Sequence, residues 1–262
     1  MRSECGLRAI RRKNDTGYHY FIANLTPNDV DRRIPLTVDF KDARWFDPMT
    51  GKIFSADCNG EGIMISMKSG ESMILQTYDT QLSTPAEKPM KLTADTKTID
   101  GQWKLSFVEC APKVEKTFTL EKPQTWETLD DDSIRITMGT GVYSTTVKMT
   151  KQEAGCRWAI NLGDVRESAR VYVNDTLVGC AWAVPFILDC GQTFKPGNNN
   201  LRIEVTNLPA NRIADLDRRG IKWRKFNEIN VVDLNYKKTG YENWEPVKSG
   251  LNSDVYLIKI DK

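Results

Sequence analysis

Apolar and polar residues alternate along much of this chain, most clearly between residues 163 and 207. In 169–173, ARVYV, Ala169, Val171 and Val173 fall on one side and Arg170 and Tyr172 on the other. That period of two is the pattern of a half-buried strand. Asn174-Asp175 follows, two residue types that tolerate left-handed backbone, and 177–180 returns, which predicts a hairpin. A second turn at 195–200, KPGNNN, leads into Leu201, Ile203 and Val205 alternating with Arg202 and Glu204. The three runs predict an antiparallel sheet.

The same pattern extends in both directions. Residues 18–78 divide into short strand-like runs, YHYFIANL, RIPLTVDF, ARWFDPMTGKIFSA, GIMISMKSG and ESMILQTY. Turns fall at 47–51, where Pro48 presets φ and Gly51 accepts positive φ, and at 68–71. Strands at this spacing predict a small β-sandwich over 1–80. Residues 81–97 carry Pro85, Pro89 and no apolar period, which predicts a linker. From 98 to 262 the strand pattern resumes with GQWKLSFVE, an acidic loop at Asp130, Asp131 and Asp132, and IRITMGTGVYSTTVKM from 134. Residues 208–230 are irregular, with a turn of helix expected around 214–219, and Val255, Leu257 and Ile260 mark a closing strand. The fold class is all-β, two β-sandwich domains, with little helix.

The string from 163 to 207 also resembles a known family. Val173, Asn174, Val178, Gly179, Pro185, Phe186, Asp189, Lys195, Gly197, Asn200, Val205 and Asn207 stand in the order found in the sugar-binding domain of family-2 glycoside hydrolases. The resemblance implies that 98–262 is a galactose-binding-like jelly roll; Asp175 departs from it by replacing the usual turn glycine. The "G.W.L.F" strand at 101–107 and the Gly-Thr-Gly-Val-Tyr segment at 139–143 arrive where that pattern places them. The first half is similar to the small sandwich beside the catalytic barrel of large α-L-rhamnosidases.

Charge and cysteines narrow the function classes. The 262 residues hold 37 Lys plus Arg against 35 Asp plus Glu, a net charge of +2. No net field favours nucleic acid or an anionic membrane, and no apolar run is long enough to span one. Cys5, Cys58, Cys110, Cys156, Cys180 and Cys190 form no CxxC pair, which excludes a zinc site of the usual spacing. Cys180 and Cys190 sit where neighbouring strands could bridge, buried free thiols being the alternative. The opening, MRSECGLRAIRRKND, is basic without a secretory apolar run, and it reads as the interior of a longer polypeptide. The chain does not fix a location; the resemblance implies a periplasmic or secreted one.

The family's catalytic carboxylates lie on a barrel, and no strand–helix alternation occurs here, so this chain alone is expected to hydrolyse nothing. Acidic pairs such as Asp215 with Asp217 or Asp130 with Asp132 read as solvated loops. His19, the sole histidine, reads as a strand residue between two tyrosines. Carbohydrate binding is the remaining chemistry, needing an aromatic face for a pyranose and amide, carboxylate or guanidinium groups for its hydroxyls. Asn211, Arg212, Asp215, Asp217 and Trp223 supply both kinds in one late stretch, with Trp182, Tyr241 and Trp244 as further aromatics near polar loops. Core packing for each Trp and a salt-bridged loop for the Asp/Arg group are the alternatives. No cofactor is expected. Asp215 and Asp217 are also calcium candidates, although no recognisable calcium loop is present. The expected partners are an oligo- or polysaccharide and a catalytic domain. The reading is a non-catalytic portion of a multidomain glycoside hydrolase, with a stand-alone carbohydrate-binding or adhesion protein, or a structural spacer, as alternatives.

Overall fold

In this computed structural model, residues 5–225, 235 and 239–261 are described. They form two compact units. The first holds residues up to 93 together with 181–187 and Asp261; the second holds 94–180 and 188–260.

The first unit contains β1 (Arg8–Asn14), β2 (Gly17–Ala23), β3 (Val30–Ile34), β4 (Asp42–Phe46), β5 (Ile53–Ser55), β6 (Cys58–Asn59), β7 (Gly62–Met67) and β8 (Ser72–Tyr78). They make a five-stranded sheet in the order β1-β2-β8-β4-β5 and a three-stranded sheet β3-β7-β6. Alternate residues of both sheets, among them Tyr20, Ile22, Leu75, Val30, Ile34, Ile63 and Ile65, point inward to one apolar cluster. The turn at 47–51 forms as its residues dictate. The Asp47 carboxylate accepts from the Met49 N–H at 2.8 Å and the Thr50 hydroxyl at 2.7 Å, and Gly51 takes φ +72°. Asn24 is fully buried, and its amide nitrogen bonds the carbonyls of Asn28, Met67 and Lys68. It fastens the loop after β2 to the end of β7.

Strand β1 falls in the stretch read as a basic opening. Its residues are exposed on both faces because it is a sheet edge, so no alternation marks it. The stretch read as a linker ends in a strand, β9 (Leu92–Thr98), and before it the Arg44 guanidinium holds the Thr84 carbonyl at 2.5 Å.

The second unit continues with β10 (Trp103–Ala111), β11 (Phe118–Leu120), a 3-10 turn at Trp126–Thr128, α1 (Asp132–Arg135), β12 (Met138–Met149), α2 (Lys151–Ala154) and β13 (Trp158–Asn161). Next come β14 (Val165–Arg166), β15 (Ser168–Val173), β16 (Thr176–Ala181), β17 (Ile187–Gly191), β18 (Gly197–Thr206), α3 (Ala210–Arg218), β19 (Gly250–Leu251) and β20 (Tyr256–Ile260). A six-stranded sheet runs β11-β10-β12-β18-β15-β16 and a four-stranded one β17-β13-β20-β9. The protein is a mostly antiparallel all-β fold. Ala169, Val171 and Val173 of β15 are buried beside Val205, Ile203 and Leu201 of β18, their register partners. Asn174 and Asp175 turn the hairpin at φ +50° and +63°.

The asparagines of the family-like string tie its turns together. Asn174 donates to the Asn199 side-chain oxygen at 2.8 Å and accepts from the Asn200 N–H at 3.0 Å. Asn207 donates to the Thr137 carbonyl at 3.0 Å and accepts from the Gly139 N–H at 2.9 Å. Residues 132–135, at the end of the stretch read as a polar loop, form the short helix α1, in which Asp131 caps the Ser133 N–H at 2.9 Å. None of the six cysteines is in a disulfide; Cys190 is buried and Cys180 exposed.

Candidate functional site

Helix α3 is longer than the single turn the sequence suggests, and it organises the region where the candidate residues meet. It follows Pro209 and closes at Arg219, whose N–H reaches the Asp215 carbonyl at 3.0 Å. Asn211 lies on its buried side at 5% exposure. Its amide donates to the Val247 carbonyl at 2.8 Å and accepts from the Val247 N–H at 2.9 Å. One turn on, Asp215 is buried and accepts from Arg212 at 2.8 Å, with Arg219 at 3.5 Å. Both polar groups are satisfied inside the fold, as buried polar groups must be. The Asp130–Asp132 loop faces solvent: Asp130 and Asp132 are exposed, and Asp132 pairs with Arg135 at 3.1 Å.

Asp217 faces the other way. Its carboxylate accepts the Trp223 indole N–H at 2.6 Å and the Tyr241 backbone N–H at 2.9 Å. One side chain therefore joins two aromatic residues 18 positions apart in sequence, by the difference of their numbers. Trp223 and Tyr241 lie 6.1 Å apart centre to centre, and Tyr241 and Trp244 lie 4.3 Å apart at 57°. The three rings form a tilted ledge, of which Trp244 is the outermost at 47% exposure.

Arg224 completes the ledge and was not singled out by sequence. Its guanidinium stands 5.1 Å from the Trp223 ring centre and 5.0 Å from that of Tyr241, and it donates to the Thr239 carbonyl at 2.7 Å. Cations over aromatic faces are attracted by the ring quadrupole. The only hint in the sequence is its place beside Trp223 in KWRK. Seven of the eight candidate residues thus belong to the second unit, on α3 and the segments at 223–225 and 239–247. The eighth, Trp182, is 53% exposed in the β16–β17 loop, which belongs to the first unit.

The segment bearing Trp244 is anchored behind. Ser249 accepts the Trp126 N–H at 2.9 Å and donates its own N–H to Glu127 at 3.1 Å. Tyr143, fully buried, donates to the Gln124 carbonyl at 2.8 Å and accepts from the Leu251 N–H at 3.2 Å. Burial raises the Tyr143 phenol well above its ordinary range, so it stays a neutral donor. Gly250, at φ +93°, lets the chain pass against Tyr143 and Trp126. The carboxylates of Asp215 and Asp217 are turned to N–H donors, and no group of three or more His, Cys, Asp or Glu gathers as metal ligands would among the described residues.

No family model matches the chain. In sequence it is 24% identical over 230 residues to a beta-glucuronidase-named protein of Formosa agariphila, aligning 81% of this chain with 20% of that protein. In structure it superposes on a rhamnosidase from Novosphingobium sp. PP1Y with a TM-score of 0.71 and 22% identity, over 98% of this chain. The fold is that of one region of a glycoside hydrolase. Its similarity to the Bifidobacterium dentium beta-glucuronidase complexed with coumarin-3-O-glucuronide is lower, with a TM-score of 0.45 and 18% identity over 63% of this chain and 30% of that one. The chain spans 20% of the Formosa protein and 24% of the rhamnosidase.

Proposed function

We propose that this chain is the non-catalytic, carbohydrate-associated portion of a multidomain glycoside hydrolase of the α-L-rhamnosidase kind. It borders the active site of that enzyme and touches glycan through the Trp223–Tyr241–Trp244 ledge. The observation that supports this most is the fold match, which takes in 98% of this chain but only 24% of the rhamnosidase. Among the described residues, strands follow one another through turns, without the strand–helix alternation of a catalytic barrel.

On the ledge, the exposed Trp244 ring offers a flat apolar surface to a pyranose, while the Arg224 guanidinium and the Asp217 carboxylate are the donor and acceptor groups nearest to it for its hydroxyls. Covering one indole face of roughly 100 Å² yields about 2.5 kcal/mol at the usual area coefficient. Association costs roughly 4 kcal/mol or more, so the ledge alone binds at about millimolar affinity. Tethering to a catalytic domain converts such a contact into a high local concentration. A periplasmic or secreted location and a role in polysaccharide degradation follow from this reading.

The test is glycan titration followed by intrinsic tryptophan fluorescence, run beside an aryl-glycoside hydrolysis assay. Saturable quenching by a neutral oligosaccharide, lost in Trp244→Ala, with no turnover, supports the proposal. Robust turnover by the chain sinks it. A stand-alone carbohydrate-binding protein is the second reading, favoured by the openness of Trp244, and it predicts the same binding without any larger parent polypeptide.

A further inference from the structure

The exposed edge of the first unit carries a cluster that the ledge does not explain. Strand β1 reads RAIRRKN, four cations in seven residues. Among the described residues, none of Arg8, Arg11, Arg12 and Lys13 takes part in an ion pair. Arg11 turns to the aromatic side of the sheet and stands 5.1 Å over the Tyr18 ring. Arg8 and Arg12 project from the opposite face with Ile10 between them, as the period of two requires.

The register completes that face. Ile10 sits opposite Phe21, and Phe21 opposite Ile74 of β8. Arg8 pairs with Ala23 and Arg12 with His19, so the two guanidinium groups lie one row to either side of the Phe21 row. Phe21 is 44% exposed and Ile10 73%. The Arg12 row is polar: His19 bonds the Asn14 amide at 2.9 Å and stands 3.5 Å from that of Gln76. An open aromatic ring flanked by two arginines that form no ion pair among the described residues, with amide groups alongside, combines a surface for a sugar ring with forks for carboxylate or sulfate oxygens.

We infer that this face of β1 and β2 binds an acidic glycan, a polymer of uronate or sulfated sugars. A nucleic acid would use the same cations, but the chain's net charge of +2 offers it no wider field, and a single phenylalanine on a flat sheet suits a pyranose face. The inference extends the carbohydrate-associated reading to a second, charge-selective contact in the other unit. It does not depend on the ledge.

Affinity electrophoresis of the full chain in gels containing polygalacturonate, at low and high salt, tests it. The expected result is retardation at low salt that salt weakens. Arg8→Ser with Arg12→Ser should weaken it about tenfold or more, since charge-assisted bonds to two forks are lost. Phe21→Ala should weaken it too, and Lys122→Ser, which removes an exposed charge in the second unit, should not. Unchanged melting of each variant separates loss of contact from loss of fold. No retardation, or retardation indifferent to Arg8 and Arg12, overturns the inference. So does equal retention by polyglutamate or duplex DNA, which would make the strand a general polyanion surface. The neutral-oligosaccharide quenching assigned to Trp244 persists in the Arg8→Ser/Arg12→Ser variant, so failure of this inference and failure of the ledge are separable.

Discussion

The side chain of Asn211 grips the backbone of Val247 at both ends, donating to its carbonyl at 2.8 Å and accepting its N–H at 2.9 Å. An amide is the one side chain that can pair with a peptide group in this way, since it presents a donor and an acceptor side by side. The grip fixes the segment that presents Trp244 to α3.

Asn211→Ala leaves the part-buried N–H and C=O of Val247 without their side-chain partner and should cost about 1–3 kcal/mol, read from urea denaturation at unchanged m-value. Asn211→Asp should also destabilise, because it keeps the acceptor and loses the donor. Glycan quenching should weaken in step, as the ledge loses its backing.

Trp244→Ala should behave oppositely. The ring is the outermost of the three and nearly half exposed, so stability should change by less than about 1 kcal/mol while glycan binding disappears. Stability loss of several kcal/mol would make Trp244 a packing residue.

Gly250→Ala should destabilise by more than about 2 kcal/mol in thermal or denaturant unfolding. The new methyl meets the Tyr143 hydroxyl and the Trp126 ring nitrogen at a φ of +93° that side chains rarely adopt. A neutral effect would mean that the passage between those two rings has slack.

Acid sensitivity should centre on Glu153. The Lys97 ammonium donates to its carboxylate at 2.8 Å and the Thr150 N–H at 2.7 Å, in the capping box of α2, and these hold its pKa down to about 2 from the usual 4.5. The stabilisation is complete above pH 4.5 and is lost as pH falls through the folded-state value near 2. Glu153→Gln should therefore flatten the unfolding profile in that window, and a mutant profile parallel to wild type would contradict the assignment.

Much of the second unit could be read from single residues. Ala169, Val171, Val173 and Leu201, Ile203, Val205 are inward because alternation dictates it, and Asn174-Asp175 turns because those types accept positive φ. Edge strands were illegible. β1 and β9 lie at sheet margins, where exposure on both faces erases the period. The site was legible as a composition and not as a set of partners. Asn211, Arg212 and Asp215 look like sugar ligands in a row, yet they bond within the fold because α3 turns them inward. Arg224 gains its place only from two rings, one of them distant in sequence. The β16–β17 loop belongs to the first unit, a long-range outcome that no local pattern in 181–187 encodes.

On the reading proposed above, this 29.8 kDa chain works as part of a larger glycoside hydrolase. An immunoblot of source cells with antibody against the chain tests it most directly. The expected band is several times larger, in keeping with the 24% of the rhamnosidase that the chain spans. A band at the chain's own mass would contradict it.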